Sequence, residues 1–319
     1  MDATVVVPTY RRPDLLERCL AALAAQEYAP TAFEVVVADD AACEATRRRV
    51  EAWADRAAVA FRYVAPAARG PAAARNAGWR SGRGRVVAFT DDDCVPGRRW
   101  LAEGVATLDG SGLAAASGRV VVPIPQRPTD YERDAAGLAS AEFVTANCFV
   151  RREALEAVGG FDERYRAAWR EDSDLQFALL ERGLTIGRTP ATVVHPVRPA
   201  RWGVSLRQQR KSQYNALLYK KFPRRYCDAI QPGPPWHYYA TLAALAGAPA
   251  AAVAGAPAAA SASALAWGAL TARFCLRRLR GASTTPGHLA EMAVTSALIP
   301  PLSIFWRLYG AWRFRVFFL

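Results

Sequence analysis

The sequence is short of the patterns that mark several large protein classes. No GxGxxG follows the first apolar run and no GxxxxGK[ST] occurs anywhere. The glycine-dependent approach of a pyrophosphate to a helix N-terminus is therefore not provided, which argues against a nicotinamide enzyme and a P-loop nucleotidase. Six cysteines (Cys19, Cys43, Cys94, Cys148, Cys227, Cys275) are scattered without CxxC spacing. Thiols in a reducing cytosol are the simplest reading. No Ser-His-Asp set, ligand-spaced metal cluster or internal repeat is visible, and the N-terminus lacks a basic-then-apolar segment, so no signal peptide is expected.

Acidic charge is also scarce. Against 41 Lys and Arg stand 29 Asp and Glu, a formal net charge of +12. Nine of those cations lie between Arg198 and Arg225 with no acid among them. A second group, Arg273, Arg277, Arg278 and Arg280, follows thirty-five residues, 238–272, that carry no charge at all. No aromatic-rich binding sheet accompanies these cations, so they favour an anionic membrane surface over nucleic acid.

What is present is clearest at residues 85–101, RVVAFTDDDCVPGRRWL. Val86 to Phe89 read as a short strand buried on both faces, stopping on Asp91, Asp92 and Asp93. In an α/β sheet the carboxyl end of a strand is where ligands bind. Three crowded carboxylates repel one another unless a cation or donor groups neutralise them. A hard divalent ion, Mg2+ or Mn2+, is the economical neutraliser and favours a phosphate-bearing substrate. The alternative is a solvated acidic turn closed by Pro96 and Gly97.

Upstream, TVVVPT (4–9), FEVVVA (33–38) and VAFRYV (59–64) read as strands, separated by helical patterns at 15–23 and 44–58. Such alternation predicts a doubly wound sheet. Asp39 and Asp40 close the second strand at the same edge as the triplet, placed to accept from a base N–H or a ribose hydroxyl. Arg75 and Asn76 are expected to open or cap a helix before Gly82, where a guanidinium would meet a diphosphate.

Together VVVPTYRRPDLLERCLAALAAQ, FEVVVADDA, ARNAGWRSGRGRVVAFTDDDCVP and GGFDERYRAAWREDSDL resemble the family 2 glycosyltransferases over roughly residues 3–200. The resemblance implies an α/β GT-A fold, a doubly wound mixed sheet followed by an α-helical C-terminal region. It also implies a nucleotide-diphosphate sugar donor, inversion at the anomeric carbon, and Mg2+ or Mn2+. Carried onto this chain, it puts Pro8, Thr9, Tyr10 and Arg12 in the nucleotide pocket, Asp39 and Asp40 at the base or ribose, and Arg75 at the base edge or phosphate. Asp91 and Asp92 join the donor site. Asp93 is the choice for direct metal contact, with Asp91 beside it, although spacing alone does not choose among the three.

Glu171 and Asp172 sit where the family carries its general base. The resemblance makes Asp172 that base and Glu171 its helper, with Asp174 as a helix cap. A single displacement needs one carboxylate to take the acceptor proton while positive charge meets the leaving oxygen. His195 ends a further strand and is either a structural hydrogen-bonder or, as in related enzymes, a group near the metal. No QxxRW follows, which favours transfer of one sugar per acceptor.

The expected organisation is a catalytic domain over 1–225, with a nucleotide-sugar half (1–100) and an acceptor half (101–225), then a helical membrane-associated region over 226–319. Pro249, Gly255 and Pro257 suggest the bend of a hairpin, and Pro300-Pro301 split a second apolar element ending in WRLYGAWRFRVFFL. Aromatic rings interleaved with arginines suit the headgroup region at the cytoplasmic face of the cell membrane. A saccharide or lipid-linked acceptor follows from that location, and nucleic acid is not expected as a partner. The rival readings are a non-catalytic nucleotide-sugar-binding scaffold and a nucleotidylyltransferase, the latter disfavoured because VVVPTYRRP lacks a glycine-rich loop.

Overall fold

A computed structural model describes residues 1–319. In chain order the elements are β1 (Ala3–Thr9), α1 (Pro13–Ala24), β2 (Phe33–Asp39), α2 (Glu44–Arg56), β3 (Ala60–Val64), α3 (Pro71–Ser81), β4 (Val86–Thr90) and β5 (Val95–Pro96). There follow α4 (Trp100–Asp109), β6 (Ala115–Val121), α5 (Asp130–Ala136), β7 (Asn147–Arg151), α6 (Arg152–Val158), α7 (Glu171–Glu181) and β8 (Ile186–Val194). The rest is helical: α8 (Val204–Gln208), α9 (Gln213–Lys221), α10 (Pro223–Ala229), α11 (Trp236–Val253), α12 (Pro257–Leu279) and α13 (Pro286–Phe314). These fall into two compact units, residues 1–123 with 136–197, and residues 124–135 with 198–319.

The first unit is built on an eight-stranded mixed sheet of order β3-β2-β1-β4-β7-β6-β8-β5. β1 pairs in parallel with β2 and β4, and β7 runs antiparallel to both β4 and β6. The continuous apolar runs of β1, β2 and β4 are buried almost throughout, as strands covered on both faces must be. Val5 and Val7 face the main core with Leu16, Leu20, Val50 and Trp100. Val6 points the other way, toward α3, where a Cβ on Gly78 would lie 2.4 Å from its Cγ1. That glycine lets the helix settle directly on the sheet.

Two local predictions need correction. α3 opens at Pro71, not at Arg75 and Asn76, because proline suits the first helical turn and Gly70 supplies the preceding φ of +116°. A Cβ at Gly70 would stand 2.9 Å from the backbone of Arg166. Pro96, which with Gly97 closes the acidic turn of the alternative reading, instead joins Val95 in β5, the two pairing antiparallel with Val193 and Val194. Proline is tolerated there because β5 is the last strand of the sheet.

In the second unit α11 and α12 form a helical hairpin. The bend comes at Gly255, with φ +69°, and at Pro257 in the first turn of α12, whereas Pro249 lies inside α11. α13 runs unbroken through Pro300 and Pro301. It is also the one helix long and apolar enough, by length and composition, to cross a membrane. Arg278 ties this unit together from a buried position. Its guanidinium reaches Asp130 (2.8 Å), Thr295 (2.7 Å), Ser296 (3.1 Å) and Ser205 (3.3 Å).

Candidate active site

The carboxyl ends of β1, β2 and β4 lie side by side because these strands are parallel and in register. Thr9, Asp39 and Thr90 close them, so the segments that follow share one edge of the sheet. Asp91, Asp92 and Asp93 extend from β4 at that edge, and each is balanced by protein cations or donors.

Asp92 is the most firmly held. Its Oδ2 accepts from the Thr9 hydroxyl at 2.7 Å and its Oδ1 from Arg12 Nη1 at 3.1 Å. Burial nevertheless pushes its pKa up to about 6, against the opposing pull of Arg12 and Thr9. Asp91 accepts from Arg75 Nη2 at 2.8 Å. Asp93 lies 3.8 Å from Arg12 Nη1 and 3.5 Å from His195 Nε2.

The approach of His195 to Asp93 follows from the sheet. Pairing Val95 with Val194 brings the residue two before β5's start and the residue just after β8 to the same corner. His195 Nδ1 is buried with no hydrogen-bond partner. Ligand atoms of Asp93, Cys94 and His195 fall within 4.8 Å of one another, so this corner can hold a metal ion. Cys94 is a poor third ligand for a hard ion. Burial, helped by the nearby carboxylates, pushes its thiol well above the usual range and keeps it protonated.

Arg75 projects from the middle of α3 and is 3% exposed. It bridges Asp91 on one side and Glu171 Oε1, at 3.1 Å, on the other. One buried guanidinium thus links the strand-end triplet to the start of α7, ninety-six residues from it in sequence. Two carboxylates compensate the desolvation of this guanidinium.

Glu171, Asp172 and Asp174 occupy the first turn of α7, where the helix dipole favours negative charge. Arg170 caps this helix at φ +74°, a left-handed conformation that costs a non-glycine residue about 1–2 kcal/mol. Glu171 Oε2 is buried without a partner. Its pKa rises from 4.5 to about 7, chiefly through burial, with Arg75 opposing and Asp172 reinforcing. Asp172 is also raised by burial, although its Oδ1 accepts from the Ser173 N–H at 2.7 Å. Asp172 keeps partial solvent contact whereas Glu171 does not. Asp174 is buried in that first turn, behind Arg170 at the N-cap position, and accepts from the Tyr165 hydroxyl at 3.1 Å.

The remaining residues singled out from sequence are at the same edge but engaged differently. Asp39 is fully buried and holds its own loop, accepting from Ala41 N–H, Cys43 N–H and the Tyr63 hydroxyl. Asp40 accepts from Gly70 N–H at 2.7 Å. Pro8 is the half-buried penultimate residue of β1, and Tyr10 is exposed beside Arg11.

Two residues hold elements in place in roles that the sequence reading did not assign. Asn76, expected at a helix end, donates to Phe161 O and Glu163 Oε1 and accepts from Phe161 N–H and Trp79 Nε1. It anchors the turn leading toward α7. Asn147, opposite Thr90 in β7, donates to Arg119 O and Ala191 O and accepts from Trp100 Nε1. A buried amide inside an apolar run is the signal that would have found it.

Comparison with known proteins identifies this arrangement. The family model described as glycosyl transferase family 2 matches residues 4–161, and that of glycosyl transferase family group 2 matches residues 130–309. The glycosyltransferase AglE of Haloferax volcanii is 28% identical over 220 residues, covering 65% of this chain and 70% of AglE. The validoxylamine A glucosyltransferase of Streptomyces hygroscopicus is 36% identical over 111 residues, 35% of this chain and 24% of that protein. Among solved structures, the mannosyltransferase PcManGT from Pyrobaculum calidifontis, in complex with GDP-Man and Mn2+, superimposes with a TM-score of 0.61 at 27% identity. That match covers 92% of this chain and 86% of the other. With the mixed sheet, the acidic strand end and the Glu171-Asp172 helix start in the same order as the motifs, the chain belongs to the family 2 glycosyltransferases and has their GT-A fold.

Proposed function

We propose that the chain moves a sugar from a nucleotide-diphosphate donor to an acceptor hydroxyl in one inverting displacement, and that a divalent cation assists. The observation that carries this is the Arg75 bridge, which puts the donor-side triplet and the helix-start carboxylates into one connected cluster. Single displacement needs a cationic leaving-group end and a basic end across the sugar, and no second carboxylate to form a covalent intermediate.

On this reading the edge formed by Pro8, Thr9, Tyr10, Arg12, Asp39 and Asp40 receives the nucleoside. Asp39 retains acceptor capacity beyond its loop contacts, since a carboxylate offers about four lone-pair sites. Asp93 and His195 would hold Mg2+ or Mn2+, with Asp91 adjacent, and the orphaned His195 Nδ1 marks the ring as poised for a partner. When bound, such an ion supplies positive charge against the diphosphate. Asp172 takes the acceptor proton because it combines a raised proton affinity with solvent contact. Glu171, buried on Arg75, positions it. Mn2+ with GDP-mannose is the first donor pair to assay, because the PcManGT complex contains both. We place the reaction at the cytoplasmic face of a membrane, on a saccharide or lipid-linked acceptor.

Asp172→Asn tests the assignment. Loss of the base should lower kcat by about 10²–10⁴-fold while nucleotide affinity, measured by titration calorimetry with Mn2+ present, is unchanged. Full activity in that variant would remove Asp172 from the role.

A further inference from the structure

Two helices of the second unit present apolar faces that nothing in the chain covers. On α13, Val294, Leu298, Phe305, Leu308 and Trp312 recur at spacings of 4, 7, 3 and 4 and so share one face. They are 45%, 45%, 56%, 44% and 74% exposed. The opposite face, with Met292, Ile299 and Gly310, is buried, and a Cβ at Gly310 would lie 2.4 Å from Gln213 O. On α12, Leu265 and Leu276 are 75% and 64% exposed on a face that also carries Ala269 and Ala272. Arg273, Arg277 and Arg280 run along one border of that face, and none of the three is paired with a carboxylate.

We propose that these faces of α12 and α13 dock on an anionic lipid bilayer, and that α13 lies in the interface with one face immersed and does not cross. This rests on the membrane location adopted above and specifies how it is achieved. A spanning helix must be apolar all round or have every polar group paired inside the membrane. α13 instead commits its inner face to polar ties at both ends. Glu291 accepts from Gly203 N–H at 2.7 Å, while Arg307 donates to Gln231 Oε1 at 3.2 Å and to Leu319 O at 2.6 Å. Threading the helix through a bilayer would strip those contacts. Lying flat keeps them and buries only the outer stripe. The unpaired arginines choose the occupant: on the border of an apolar face they reach lipid phosphates while their stems cover acyl chain. A second copy docked by a two-fold axis would bring the same cations together.

The test is co-sedimentation of the full chain with vesicles of phosphatidylcholine alone and of phosphatidylcholine with 30% phosphatidylglycerol, followed by alkaline carbonate washing. Anionic vesicles should capture the protein and carbonate should release it. The triple change R273E/R277E/R280E should weaken capture about a hundredfold or more, at about 1 kcal/mol per cation. F305E/W312E, exposed and safe for folding, should abolish capture at both lipid compositions. Retention after carbonate would overturn the flat orientation while leaving membrane attachment intact. No capture of the unmodified chain would overturn attachment itself, and a dimer dissolved by F305E/W312E in lipid-free sedimentation would assign the stripe to a second copy instead.

Discussion

At the scale of single residues, the site is governed by how burial changes the proton affinity of Glu171. Its carboxyl titrates near the ordinary 4.5 when unfolded and is raised to about 7 in the fold. Below pH 4.5 both states hold the proton and the group is neutral to stability. Between 4.5 and 7 the unfolded chain releases it while the folded chain keeps it, so stability falls as pH rises through this window and levels off above 7. Glu171→Gln cannot titrate, so urea denaturation from pH 4 to 8 should show this variant gaining stability on the parent as pH rises. Other carboxylates, such as Glu34 and Asp109, are lowered and impose the opposite slope on both proteins alike. Parallel curves for the two proteins would mean that folding does not raise the proton affinity of Glu171.

At the scale of elements, the site depends on joints between segments distant in sequence. The Asn76–Phe161 joint couples α3, which carries Arg75, to the turn before α7, which carries Glu171. Gly160 completes it: φ is +79°, and a Cβ there would fall 2.5 Å from Asn76 Oδ1. Asn76→Ala should cost about 2–4 kcal/mol, since it orphans buried groups on Phe161 and Trp79. Gly160→Ala should cost a similar amount by strain and displacement. Because both break one joint, the double variant should lose clearly less than the sum, with a coupling of at least 0.5 kcal/mol in a denaturation cycle. Simple additivity would show two independent sites.

The same joints explain what was legible in advance. Strand ends followed by acids were readable because buried strands are continuous apolar runs and the parallel topology aligns their exits. Thus Asp39, Asp91 and Asp93 reached one edge as expected. Partners across the sheet were not readable. The two-residue strand β5 that brings Asp93 to His195 has no periodicity to detect, and proline and glycine disguise it as a turn. Arg12 on Asp92 and Arg75 on Glu171 are contacts across 80 and 96 residues that no local pattern encodes. In the tail, composition announced helices but not their bends. Gly255 and Pro257 break the hairpin, while Pro249, Pro300 and Pro301 are absorbed within helices.

At the scale of the whole molecule, the three aspartates at one sheet edge leave a testable thermodynamic mark. Protein cations already balance part of this charge: Arg12 and Arg75 each contact the triplet. The fold therefore does not require a metal ion to form, and chelation alone should leave Tm nearly unchanged. Ligand binding to the native state adds stability by mass action, about 2.7 kcal/mol at a hundredfold excess over Kd. For a catalytic unit of this size that corresponds to a rise in Tm of roughly 5–10 °C. GDP with Mn2+ serves as the probe, and the rise should need both together, because a diphosphate next to Asp91 and Asp93 is repelled until a cation intervenes. EDTA should cancel the gain, and His195→Ala should reduce the gain measured against that variant's own unliganded Tm, since the imidazole stands beside Asp93. An equal rise with GDP alone would separate nucleotide binding from metal at this edge and leave Asp93 and His195 without the ion assigned to them.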